Sequence, residues 1–146
     1  MIDVRPFTVG DRARWEVLAR GYKTFYRTPL PDVAYEKTWQ RLMQATDIFG
    51  FGGHLDGELV GLAHYMFHTS AWSSDHCYLQ DLFVDETVRG QGVARALIDC
   101  VAAAARKRGA TRYYWLTHET NTTARTLYDK VGQYRGFIRY DYQLDG

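Results

Sequence analysis

Apolar and polar positions along the 146-residue chain recur with two different periods, and the changes of period divide it into elements. The opening IDVRPF reads as a short strand. Residues 11–27 follow as a helix begun by Asp11, with Trp15, Leu18, Ala19, Tyr22 and Phe25 at helical spacing. A second helix covers Val33 to Ala45. The runs IFGFGGHL and ELVGLAHYMFHTSAW read as strands joined by Asp56-Gly57, a dipeptide suited to a two-residue hairpin turn, so they should pair antiparallel.

Beyond a polar loop, CYLQDLFV is a strand. Val93, Leu97, Ile98, Val101, Ala104 and Ala105 then mark one face of a long helix ended by Gly109. RYYWLTH reads as a buried strand, TTARTLYDKVG as a helix closed by Gly132, and FIRYDYQL as a last strand. Strands alternating with helices in the C-terminal half require at least one parallel pair with crossover helices, so the predicted class is α/β on a mixed sheet. No repeat, low-complexity stretch or Pro/Gly/Ser linker interrupts the chain, and residues 1–146 read as one domain.

Composition narrows the functions. With 46% hydrophobic and 15% aromatic residues the chain can pack a core. Eighteen Lys and Arg against seventeen Asp and Glu do not supply the strongly basic face expected of a nucleic-acid binder. No apolar run reaches membrane-spanning length and the first residues lack a signal-peptide pattern, so the expectation is a cytoplasmic protein without a membrane partner. Cys77 and Cys100 lie in apolar-rich segments that suit buried free thiols. His64 and His68 are four residues apart, but on a strand that is about 13 Å, which does not suggest a metal site.

The chemistry concentrates where CYLQDLFV runs into the long helix. Arg89, Gly90, Gln91, Gly92, Val93 and Ala94 offer backbone N–H groups at a helix start, with the positive end of the helix dipole behind them. Two glycines let a bulky phosphate approach, and a pyrophosphate fits. The segment lacks the third glycine of a dinucleotide fingerprint, and no P-loop is present.

Arg89-Gly90-Gln91-Gly92-Val93-Ala94 resembles the acetyl-CoA motif of the GNAT N-acetyltransferases, Arg/Gln-x-x-Gly-x-Gly/Ala, in the same setting between strand and helix. Asn121, Ala124 and Tyr128 in NTTARTLYDKVG resemble the family's second motif, and DVRPFTVGD its first strand and turn. GLAHYMFHTSAW, YLQDLFV and YYWLTHETNTTARTLYDKVG are most similar to the branch of yeast histone/polyamine and diamine acetyltransferases. The resemblance covers nearly the whole chain and is weakest over 28–47. It implies the GNAT fold, a central mostly antiparallel sheet with a parallel pair splayed at the cofactor site and about four flanking helices.

It also implies acetyl-CoA as co-substrate and direct attack by an amine, a small primary amine such as a polyamine or amino acid before a protein lysine. By the same resemblance Leu82, Phe83 and Val84 pair with the pantetheine arm where a bulge splays two parallel strands and aims an N–H at the thioester oxygen, Asn121 and Ala124 contact the cofactor, and Tyr128 protonates the departing thiolate. Relatives of the diamine branch read YLED where this chain has Tyr78-Leu79-Gln80-Asp81, so the glutamate implicated there as base is absent. Asp81 is the first candidate to hold the acceptor ammonium, Glu119 the second carboxylate, and His118 a further proton acceptor. Relatives commonly dimerise through C-terminal strands, and the alternation in FIRYDYQL suits a homodimer. A non-catalytic acyl-CoA-binding module is the competing class, favoured by Gln80 and disfavoured by Tyr128.

Overall fold

Five strands, four α-helices and two single-turn 3-10 helices make up the regular structure of the computed structural model, which describes residues 1–145. The chain forms two compact units, Met1–Leu116 and a second beginning at Thr117. In the first, β1 (Ile2–Pro6), β2 (Phe49–Leu55), β3 (Glu58–His68), β4 (His76–Val84) and β5 (Arg112–Tyr114) form one sheet in that order. The first four pair antiparallel, while β4 and β5 run parallel, as the long helix between them requires. The predicted hairpin closes at Asp56-Gly57, both with positive φ (50° and 87°), the backbone that matches strand twist in a two-residue turn.

Helices cover both faces. α1 (Arg12–Phe25) and α2 (Asp32–Gln44) bury Trp15, Leu18, Ala19, Tyr35, Trp39 and Leu42 against Phe7, Leu59 and Leu62. On the other face α3 (Val93–Arg108) buries Val93, Leu97, Ile98, Val101 and Ala105. It lies so close that a Cβ on Gly53 would come 2.8 Å from the Val93 side chain. Tyr113 donates its hydroxyl to the Ile98 carbonyl at 3.0 Å, which ties β5 to that helix. Among the described residues no helix is long and apolar enough to cross a membrane.

Two predicted strands differ from the structure. RYYWLTH shortens to Arg112–Tyr114, and Tyr113 and Tyr114 are half-buried instead of buried. The parallel ladder ends at the Tyr78–Tyr114 rung, whose rings stack at 5.0 Å, because nothing continues the pairing beyond it. FIRYDYQL forms no strand. Phe137, Ile138, Tyr140, Tyr142 and Leu144 are all exposed, since a strand needs a partner edge and this segment has none within the described residues. In the second unit α4 (Thr122–Val131) matches its expectation and stops at Gly132.

Candidate active site

Strand alternation alone would put Asp81 on the face of Cys77 and Leu79, beneath α3. A bulge prevents this. Tyr65 pairs with Leu79 but His64 pairs with Asp81, so Gln80 is an extra residue on β4. One inserted residue turns the following side chain to the opposite face of the sheet. Asp81 therefore points with His64 toward α1, and Gln80 is left exposed.

There Asp81 is held by named partners. The His64 Nδ1–H donates to Asp81 Oδ2 at 2.9 Å, and the Trp15 indole N–H donates to His64 Nε2 at 3.0 Å. An imidazole that accepts at Nε2 carries its proton on Nδ1, so the indole fixes the tautomer that serves the carboxylate. The Tyr22 hydroxyl also bonds Asp81. Burial alone would raise the Asp81 pKa, but the hydrogen bond and electrostatic interaction with His64, then the Tyr22 hydroxyl and the charge of Lys23, outweigh it and hold the carboxyl below its ordinary value. Burial and the neighbouring carboxylate push the Tyr22 phenol well above its ordinary value. At neutral pH the site therefore presents an anion flanked by a protonated tyrosine.

Asp81 and His64 line a cleft of about 200 Å³ bounded by α1, α2, β3 and β4. Its walls include the apolar Leu30, Ile48, Leu62 and Met66. Lys23, Arg41 and Asp81 are its formally charged groups. A concave site with apolar walls and a few convergent polar groups suits a small ligand.

The loop from β4 to α3 is anchored before it reaches the glycines. Arg14 donates from Nε to the Leu59 carbonyl at 2.8 Å and from Nη2 to Asp85 Oδ2 at 2.7 Å. Asp85 Oδ1 accepts the Thr87 N–H at 3.0 Å. Those contacts, the Thr87 amide first, hold the Asp85 carboxyl below its ordinary value. Gly90 and Gly92 then take φ of 82° and 91°, which L residues rarely adopt, and Gly92 occupies the N-cap position of α3. No side chain caps that helix start, so its first amides are left for another acceptor. A Cβ on Gly90 would meet nothing within 4 Å, which is the open approach a phosphate needs. The Arg89 guanidinium lies 5.9 Å from the Phe83 ring, so the glycine loop and the β4 end adjoin. Beyond Tyr78, β4 has no β5 partner, and Leu82, Phe83 and Val84 lie on that stretch. The residues present fit a CoA pyrophosphate and an extended arm.

In the second unit, Asn121, Ala124 and Tyr128 are spaced to share one face of α4 and each is half-buried. Asn121 sits at the N-cap position, but its amide donates to Thr117 Oγ1 at 3.1 Å instead of capping the helix. The Glu119 side chain is exposed, and its backbone carbonyl accepts from Arg125 at 2.8 Å.

Sequence reading did not single out His64, Trp15 and Tyr22 as the surroundings of Asp81. The signal lay in Trp15 and Tyr22 occupying one helical face and His64 a strand, but the pairing that joins them to Asp81 depends on the bulge.

Comparison with known proteins follows the same outline. The model of the "Acetyltransferase (GNAT) family" matches residues 15–133. A D-amino-acid N-acetyltransferase of Saccharomyces cerevisiae is 32% identical over 134 residues, covering 89% of this chain and 83% of the yeast protein. A thialysine N-epsilon-acetyltransferase of Caenorhabditis elegans is 30% identical over 84 residues, covering 58% of this chain and 52% of that relative. Among solved structures, aminoglycoside N-acetyltransferase AAC(6')-Iy in complex with CoA aligns with a TM-score of 0.87 at 22% identity, covering 99% of this chain and 95% of that one.

Proposed function

Because this chain belongs to the acetyltransferase (GNAT) family and uses acetyl-CoA as its co-substrate, we propose that it transfers the acetyl group to a small primary amine by direct attack. The observation that carries this reading is Asp81, an ionised carboxylate turned by a bulge into a small cleft and fixed there by His64 and Tyr22. The relatives named for D-amino acids and thialysine support the choice of a small amine.

Acetyl-CoA supplies an acetyl group activated as a thioester. The amides from Gly90 through Gln91, Gly92 and Val93 to Ala94, with Arg89, hold the pyrophosphate, and Leu82, Phe83 and Val84 offer the free strand edge to the extended arm. Asn121 and Ala124 complete the cofactor contacts. Asp81 binds the acceptor ammonium. A carboxyl held below its ordinary pKa is a weak base at neutral pH, so Asp81 orients the amine while water carries the proton away, and Glu119 is the second candidate carboxylate for the ammonium. Tyr128 gives its phenolic proton to the sulfur as the thioester breaks.

Residues 1–146 act as one catalytic domain in the cytoplasm, without a nucleic-acid or membrane partner. Two copies assemble as a homodimer, supported by the five exposed apolar side chains between Phe137 and Leu144. Light scattering at micromolar concentration should give a dimer, and a mass near the 16.9 kDa monomer would count against it.

Release of free CoA over a panel of amines tests the activity. Amine-dependent release is expected. Acetyl-CoA binding without release above background hydrolysis for any amine would leave the fold serving as a binding module.

A further inference from the structure

Cleft chemistry separates the small amines from one another. A polyamine carries cationic charge throughout, whereas an amino acid carries a carboxylate beside its ammonium. Three formal charges line this cleft, one negative and two positive. Asp81 is the negative group and comes from the sheet. Lys23 comes from α1 and Arg41 from the last turn of α2.

The two cations differ in availability. Arg41 already bonds Asp47 Oδ2 at 3.1 Å, with both side chains more than half exposed, so water and that pair share its charge. Lys23 is half-buried and makes no ion pair among the described residues, its ammonium lying 5.5 Å from the Tyr22 ring. Asp81 feels the Lys23 charge, yet no ion pair joins them. The cleft therefore holds an anion and an unneutralised cation with space between them. Its volume of about 200 Å³ lies below the roughly 300–1,000 Å³ of pockets for drug-sized ligands. It suits a molecule of amino-acid size.

We infer that this cleft is a zwitterion site in which Asp81 takes the reacting ammonium and Lys23, assisted by Arg41, takes a carboxylate of the same acceptor. The substrates are then amines that bear a carboxylate, and polyamines are disfavoured because their second ammonium meets Lys23 and Arg41. A charge of like sign on the cleft wall discriminates against the wrong acceptor, as a paired one favours the right acceptor. The inference rests on the acetyl-transfer reading above, and its test is arranged so that each can fail alone.

Matched acceptors differing only in the carboxylate provide that test: phenylalanine, as each enantiomer, against 2-phenylethylamine, and lysine against 1,5-diaminopentane. With the full chain and acetyl-CoA, kcat/KM should favour the amino acid of at least one pair. Lys23→Met should lower the amino-acid-to-amine ratio by about 10- to 100-fold, the scale of losing one charge-assisted hydrogen bond. Lys23→Arg should restore most of it, and Lys23→Glu should turn the preference toward the diamine. Turnover of the decarboxylated amines equal to or above that of the amino acids, or a ratio unmoved by Lys23→Met and Lys23→Glu, would overturn the zwitterion site while leaving the acetyltransferase reading intact. If no amine is acetylated, the function fails, and calorimetric titration of the same pairs in the presence of CoA still decides the subsite. Tighter binding of the amino acid, weakened by Lys23→Met, upholds it, and equal or absent binding of both overturns it.

Discussion

Asp81 Oδ2 lies 2.9 Å from His64 Nδ1 although the two residues are 17 positions apart on different strands. The same imidazole accepts the Trp15 indole N–H at its other nitrogen, at 3.0 Å. Trp15 is 1% exposed, so this donor has no water to turn to. His64→Leu leaves both the indole and the carboxylate short of a partner and should lower stability by about 1–3 kcal/mol. His64→Gln supplies an amide with both an acceptor and a donor and should recover part of that stability and part of the activity. Thermal unfolding together with KM for the amine checks the pair of variants, and equal behaviour of Leu and Gln would show that the two hydrogen bonds do not matter.

This relationship marks the limit of what the chain discloses before folding. The hairpin was legible because Asp56-Gly57 encodes its turn locally, and α3 was legible because its apolar stripe runs unbroken from Val93 to Ala105. The glycine loop was legible for the same reason, as a local pattern at a helix start. The family resemblance implied a bulge beside Leu82, Phe83 and Val84, but its place at Gln80 and its effect on Asp81 were not legible. That place is a property of the register between β3 and β4, and simple alternation would assign Asp81 to the wrong face. The last strand failed for a related reason: FIRYDYQL has strand-like alternation, but pairing depends on an available edge and not on composition.

Gly92 combines a left-handed backbone, φ 91°, with a helix start that no side chain caps. Gly92→Ala should cost about 1–2 kcal/mol through that backbone strain. Gly92→Glu adds a negative group where the pyrophosphate belongs and should abolish acetyl-CoA binding measured by calorimetry. Undiminished affinity in a folded Gly92→Glu protein would remove this loop from the cofactor site.

Tyr128 is half-buried on α4, in line with Asn121 and Ala124. Tyr128→Phe removes one hydroxyl and opens no cavity. Turnover should fall by about 10²–10⁴-fold, the scale of losing a general acid, while acetyl-CoA affinity and melting temperature barely move. A loss of stability with turnover preserved would make Tyr128 a structural residue.

Asp81 carries the central claim, that an ionised carboxylate in the cleft holds the acceptor ammonium. Its lowered pKa means that the stability it contributes is present above the ordinary carboxylate pKa and disappears only as pH falls through the lowered value. Between about pH 5 and 9 it stays charged, so kcat/KM for the amine should rise with pH as the acceptor ammonium loses its proton, and show no step from Asp81. The most direct measurement compares amine-dependent CoA release by the wild-type protein and by Asp81→Asn across that pH range. The account predicts at least a 100-fold loss of kcat/KM in Asp81→Asn, on the order expected for removing a buried charged partner, with acetyl-CoA affinity retained. Wild-type kcat/KM for the amine in a folded Asp81→Asn protein would contradict it.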